Sequence, residues 1–551
     1  MAATPSDDPG PDVATAPTRR RFLQALGAVG GAGAVLASME ALGLAPDVLD
    51  HKQSFRAPRS SDFHLRGRVN DTTVLVLGAG DAGLATAYEL EKAGYRCEIL
   101  EARARPGGRC WTVRGGEQDV DLDGTAQRAH FAAGHYMNAG PARIPQHHTT
   151  LDYCRELGVP IEVFINANPD AYLYMEPGVG TSGPLTARPI RRQAAKADLD
   201  GYVSELLAKA TSQHALDADL GADDAEALIE YLRGAGALGS SDRYVGSERR
   251  GYTREPGAAE QQGTIDPPYN LSDLLSAHLG VSFPFDQEWD QAMPMFQPVG
   301  GMDRIPYALA QALTARVRYQ AAVGRIEVTD DRVAVDYTDG QGRSYRVESD
   351  YCVCTIPPMV LRNIANNFPT QTAAALASLR GMSTGKMGLQ FKRRFWEEDA
   401  RLLGGITDTN LDIGTIWYPS YGFHGERGIV IGYYNYLDES DRFAAMTPAQ
   451  RVRRALEQGA KVHGDAYQSE FETAFSVHWQ RARFSEGGWV MWEDRSQSPD
   501  YRELLEPVGR LYYAGDHLSY VTAWQHGAFE SARQVVTELH KRVLSTRSVS
   551  R

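Results

Sequence analysis

A chain of 551 residues, 42% apolar and 23% charged, has the make-up of an ordinary soluble protein with room for two or three domains. Its formal net charge of −13 sets it against general binding to nucleic acid or to anionic membrane, both of which select basic surfaces. Five cysteines without a zinc-ligand spacing and 14 scattered histidines suggest no metal site; free, mostly buried thiols are expected.

The first fifteen residues are polar, Pro-rich and aperiodic, and are expected to be disordered. Thr18-Arg19-Arg20-Arg21-Phe22-Leu23 follows, then a Gly/Ala-rich, weakly apolar run from Ala25 to Ala45. Paired arginines, Phe-Leu and a mild hydrophobic segment look like a twin-arginine export signal, implying a periplasmic or secreted protein. A helical tail that stays in place is the alternative. Five glycines and Glu40 interrupt the run too often for a membrane span, and no other stretch is long and apolar enough for one. That route carries folded proteins, which suits free cysteines and a cofactor acquired before export.

Thr72 to Gly83 (TTVLVLGAGDAG) is the stretch around which the chain is organised. A β-branched and apolar run, Val74 to Leu77, breaks into GxGxxG. Gly78 permits the tight turn, Gly80 lets the backbone approach a pyrophosphate, and Gly83 lets the following helix lie near the strand. Leu84 to Ala93 is the predicted helix, stopped by Gly94, and Arg96 to Leu100 a second strand ending at Glu101. An acidic residue there is placed to hydrogen-bond a ribose.

Ala102 to Arg109 (ARARPGGR) supplies two glycines and an arginine suited to lie against phosphates. With Glu101 eight residues before Arg109, the pattern resembles the flavin amine oxidase superfamily, which implies FAD. The implied fold is α/β (α+β overall): a Rossmann-like, GR2-type FAD-binding domain, a mixed-sheet substrate domain and a helical insertion. Asn138 to His148 (NAGPARIPQHH) is similar to the bacterial L-amino acid oxidases, in which a GP-x-RIP segment runs under the flavin. By that resemblance Ala142 meets the cofactor and Arg143 grips the substrate carboxylate.

From Leu151 to Trp289 the pattern is mainly helical, with helices near 192–210, 222–235 and 270–280. Pro298 to Asp303 restarts the cofactor domain with a Gly turn, an Asp cap and a helix to about Val317. A small meander (323–328, 333–337, 345–347) and an apolar strand (351–356) follow. The resemblance places the backbone of Val323 against the adenine.

Further matches carry roles by resemblance. Lys386, ten residues before Trp396, resembles the lysine that holds a water at flavin N5. Tyr433 matches a tyrosine that shares the carboxylate with the arginine, with Tyr434 adjacent. Gly488 stands where monoamine oxidases carry a flavin-bonded cysteine, so FAD is expected to be non-covalent, with Trp489 facing the substrate. Asp516 replaces the commoner Glu of the last FAD motif, the carbonyl of Gly527 takes the amino group, and Ala528 removes a usual aromatic wall.

The expected organisation is a leader (1–66), a discontinuous FAD-binding domain (67–137, 296–360 and 484–545), a substrate domain (138–150 and 361–483) and a helical domain (151–295). The implied activity is oxidation of an L-amino acid by O2 in a homo-oligomer, a dimer. An amine or polyamine oxidase, an amide-forming decarboxylating monooxygenase and a non-catalytic flavin module are the alternatives.

Overall fold

The computed structural model describes residues 63–549 except residue 179. The twin-arginine stretch therefore lies outside the described residues.

The opening strand, Thr73–Leu77, is the centre of a five-stranded parallel sheet. The order across the sheet is Arg316–Arg318, Arg96–Leu100, Thr73–Leu77, Tyr351–Cys354, Leu511–Tyr513. The apolar run of the opening strand follows from burial on both faces. Val74 and Val76 join one core cluster, and Leu75 and Leu77 join another with Cys352 and Cys354. All five cysteines are free and four are buried. Helix Asp81–Lys92 leaves the tip of the opening strand and packs against the closing helix, Gln525–Val549. Three strands, Ala322–Val328, Val333–Thr338 and Ser344–Ser349, form the expected meander.

A second, mixed sheet has seven strands, in the order Phe471–His478, Thr384–Phe391, Gly428–Tyr436, Thr415–Trp417, Ile406–Thr409, Tyr172–Tyr174, Pro189–Arg191. Strand Thr384–Phe391 is buried along its whole length between two antiparallel neighbours. Opposite it, Gly432 is the extra residue of a bulge, since Met387 pairs with Tyr433 and Gly388 with Ile431.

The segment expected to be helical carries helices Arg192–Ser212, Ala222–Ala235 and Leu271–Ser276, and also strands. Ile161–Ile165 pairs with Pro294–Pro298, and Tyr172–Tyr174 and Pro189–Arg191 extend the second sheet. Three-residue strands are too short to leave a two-residue period in the sequence. The helix expected to reach Val317 stops at Ala312, because Arg316–Arg318 pairs onto the edge of the parallel sheet and Arg318 meets Glu98. Asp303 does not cap that helix with its side chain; its carboxylate accepts two hydrogen bonds of 2.8 Å from Arg114. No helix of the described residues is long and apolar enough to cross a membrane.

Trp396 is fully buried, in edge contact with Phe391 and Phe395. Trp396→Ala is expected to cost about 3–5 kcal/mol, seen as a thermal midpoint several degrees lower in scanning calorimetry.

Candidate active site

A cavity of about 740 Å³ runs from the glycine turn to the second sheet. At the first end, Gly78 takes a φ of +106°, and a Cβ on Gly83 would lie 2.0 Å from the Gly78 carbonyl oxygen. These two positions admit no side chain, whereas the space beside Gly80 is open. The first turn of helix Asp81–Lys92 thus presents its N–H groups on the cavity wall, the arrangement that binds a phosphate anion.

Glu101 is buried at the tip of the second strand. Its carboxylate accepts the backbone N–H groups of Ala79 and Arg103, each at 2.8 Å, which fixes its oxygens at the cavity edge. Ala321, Ala322 and Val323 line the same end. Arg109 donates to the Gly488 carbonyl at 2.6 Å and pairs with Asp516. Burial works to raise the Asp516 carboxyl, but the Arg109 guanidinium holds it below the usual carboxylate range. Asp516 also accepts the Ala523 N–H at 3.1 Å. A Cβ on Gly488 would lie 2.4 Å from Thr384 Cγ2, so a side chain for covalent attachment does not fit there without movement. A buried acid at the strand tip, the glycine cradle and the helix N-terminus together fit a dinucleotide cofactor.

At the other end, Arg143 is 9% exposed and donates one weak hydrogen bond, from Nη2 to Gln291 Oε1 at 3.3 Å. Its Nε and Nη1 have no partner. Its guanidinium lies 4.5 Å from the ring centre of Trp417, with Phe285 and Trp524 at 5.7 and 5.8 Å. Two idle donors on a buried cation are unfavourable by several kcal/mol unless an anion meets them. Lys386 is not an edge residue that snorkels to water. It is 3% exposed, donates to the Gly140 carbonyl at 2.5 Å, and sits 4.3 Å from the centre of the Tyr434 ring. Burial, then the nearby Arg143 charge, push its amine down to about 7.

Two expected positions fall elsewhere. Tyr433 does not line the cavity. It is fully buried on the opposite face of its strand, with its hydroxyl 2.9 Å from His478 Nε2 and its ring against Phe443. Successive side chains alternate across a strand, so Tyr434 and Tyr436 face the cavity instead. Tyr434 is the cross-strand partner of Lys386. Gly527 is also off the cavity wall, inside the first turn of the closing helix, where a Cβ would lie 2.1 Å from the Val521 carbonyl oxygen. A carbonyl in a helix's first turn points along the axis toward the N–H four residues on, so it is not presented to a substrate amine.

Trp489 lines the cavity, 6.0 Å from Tyr436. Ala528 lines it too, but Trp524, the residue just before the closing helix, supplies an aromatic wall and donates from Nε1 to Asp290 at 2.6 Å. The four-residue spacing of Trp524 and Ala528 is the signal in the sequence that could have identified it.

Glu101→Ala removes an acceptor shared by the buried Ala79 N–H and the half-buried Arg103 N–H and is expected to leave the purified protein substoichiometric in flavin, read from the ratio of visible to ultraviolet absorbance.

Residues 82–540 match the family described as flavin-containing amine oxidoreductases. A putative L-amino-acid oxidase of Bacillus subtilis (strain 168), YobN, is 28% identical over 482 residues, covering 85% of this chain and 94% of that one. The L-amino-acid oxidase of Pseudechis australis is 26% identical, covering 84% and 85%. Among solved structures, a cofactor-binding redesign of putrescine oxidase superposes with a TM-score of 0.56 at 17% identity, over 86% of this chain and 99% of that one. Cyclohexylamine oxidase from Brevibacterium oxydans IH-35A gives 0.55 at 18%, with coverage of 86% and 99%.

Proposed function

Because the chain belongs to the flavin-containing amine oxidoreductases, and so is a flavin oxidoreductase with FAD as cofactor, we propose that it oxidises L-α-amino acids. The products are the 2-oxo acid, ammonia and hydrogen peroxide. The observation that carries this reading is Arg143: a buried guanidinium with two unpartnered nitrogens, facing an aromatic cavity. A substrate carboxylate supplies the missing acceptors bidentately. An amine or diamine substrate would leave them idle and bring like charge beside them.

FAD supplies the hydride-accepting chemistry when bound, held without a covalent bond by Gly78, Gly80, Gly83, Glu101, Arg109, Ala142, Val323 and Asp516. The other steps belong to the chain's own residues. Arg143 fixes the carboxylate, with the Tyr434 hydroxyl in the role expected of Tyr433. Trp417, Trp489 and Trp524 exclude water and confine the side chain. The substrate ammonium must lose a proton before its α-carbon is oxidised. Lys386, with an amine brought down to about 7, is placed to accept or relay that proton near neutral pH. Export through the twin-arginine route and assembly as a homodimer complete the proposal.

A peroxide assay across L- and D-amino acids, putrescine and tyramine tests the reading. Turnover of L-amino acids and not of the amines is expected. Turnover of amines alone overturns it, and a decarboxylated amide product points to a monooxygenase. Arg143→Ala is expected to raise KM by about 10²–10⁴-fold, the equivalent of roughly 3–5 kcal/mol for a buried charge left unpaired. Tyr434→Phe is expected to raise KM several-fold, whereas Tyr433→Phe, which loses only a core hydrogen bond to His478, should lower stability with little effect on KM. Steady-state kinetics with thermal melts on both variants separates the two tyrosines.

A further inference from the structure

The GxGxxG turn carries an acid that the proposed mechanism does not use. Asp81, between Gly80 and Ala82, is the first residue of helix Asp81–Lys92 and lines the cavity. It is 9% exposed. Its Oδ2 accepts a 3.0 Å hydrogen bond from Gln525 Nε2, and its Oδ1 has no partner. Gln525 opens the closing helix and also reaches Cys110 Sγ at 3.4 Å, so one hydrogen bond ties the first turns of the two helices that end on the cavity.

The charges around Asp81 leave little to neutralise it. Arg109 is the cation that faces it, and Arg109 is already paired with Asp516, whose own negative charge adds to the site. Cys110 and Cys154, the other titratable groups nearby, are thiols that burial keeps neutral by raising the pH at which they ionise. Burial raises the Asp81 carboxyl to about 7, against the Gln525 hydrogen bond and Arg109. In this turn the N–H groups at the start of the helix are the docking place of a dinucleotide's diphosphate. A carboxylate competes for those same donors and repels the diphosphate across a cavity of low dielectric.

We propose that Asp81 holds FAD as a neutral carboxylic acid, its Oδ1–H donated to the cofactor's diphosphate, so that FAD binding takes up one proton. The sign of the linkage follows. A neighbouring diphosphate raises the pH at which the acid ionises in the bound state above that in the free state. Affinity is therefore full while the free protein keeps Asp81 protonated. It falls about tenfold per pH unit above about 7, until the bound acid itself ionises.

The test dilutes purified holoenzyme into buffers from pH 6 to 9 and measures released FAD by fluorescence after ultrafiltration. Wild type is expected to show an apparent Kd that climbs about tenfold per pH unit above about 7. Asp81→Asn, which keeps a donor without a titrating proton, is expected to retain FAD with a flat profile. Asp81→Ser is expected to be flat as well. Calorimetry of FAD rebinding in buffers of different ionisation enthalpy should register one proton taken up near pH 8 by wild type and none by either variant. A flat wild-type profile overturns the proposal, as does a wild-type slope persisting in Asp81→Asn. Loss of FAD by both variants at every pH also overturns it, since an ionised carboxylate accepting ribityl hydroxyls would behave that way. If neither variant folds, the wild-type profile and the proton count decide.

Discussion

A buried guanidinium lacking an anion is the constraint on which the substrate end of the cavity depends. Arg143 is held among the faces of Trp417, Phe285 and Trp524, with a single weak hydrogen bond to Gln291. Aromatic faces attract a cation by their quadrupole but leave its N–H groups unsatisfied. Lys386, a second cation on the same wall, has its charge disfavoured by burial and by Arg143. A basic pair on one apolar wall, Lys386 on the second sheet and Arg143 on the segment before helix Thr149–Glu156, suits the entry of a negative group.

The cofactor end solves the opposite problem, the reception of a large anion by a chain that is itself acidic. It relies on backbone N–H groups more than on cations: the turn between Gly78 and Gly83, and the start of the closing helix. Arg109 links segments far apart in the chain, through the Gly488 carbonyl and Asp516, and Asp516 in turn receives Ala523. The residues that line this end are drawn from segments far apart in the chain. Its acids, Glu101 and Asp516, are spent on N–H groups and a guanidinium before any ligand arrives.

The sequence revealed features that depend on a strict steric or spacing rule. GxGxxG and Glu101 were legible because a turn, a close helix approach and a two-strand crossover leave fixed residue types at fixed intervals. Arg143 and Lys386 were legible by resemblance, and both do face the cavity. What was not legible turned on which way a side chain faces. Tyr433 and Tyr434 are chemically identical neighbours, and only the pairing with Lys386 distinguishes them. Gly527 was expected to offer its carbonyl to the substrate amine, and it lies inside the first turn of the closing helix and off the cavity wall, a matter of where the backbone points that residue type does not reveal. The three-residue strands Tyr172–Tyr174 and Pro189–Arg191 carry no period of their own and form by pairing onto the edge of the second sheet.

The bulge at Gly432 has an implication for comparing relatives. A Cβ there would lie 2.3 Å from Leu389 Cδ1, so a side chain on the spare residue would have to displace the buried Leu389. Upstream of it the strand keeps step with the aromatic core around Val430; downstream it keeps step with Lys386 and the cavity. One inserted residue thus offsets the side-chain alternation of the downstream half from that of the upstream half. A homologue without it would carry the cavity-facing tyrosine one column away, so an alignment scored on residue identity would equate side chains that look in opposite directions.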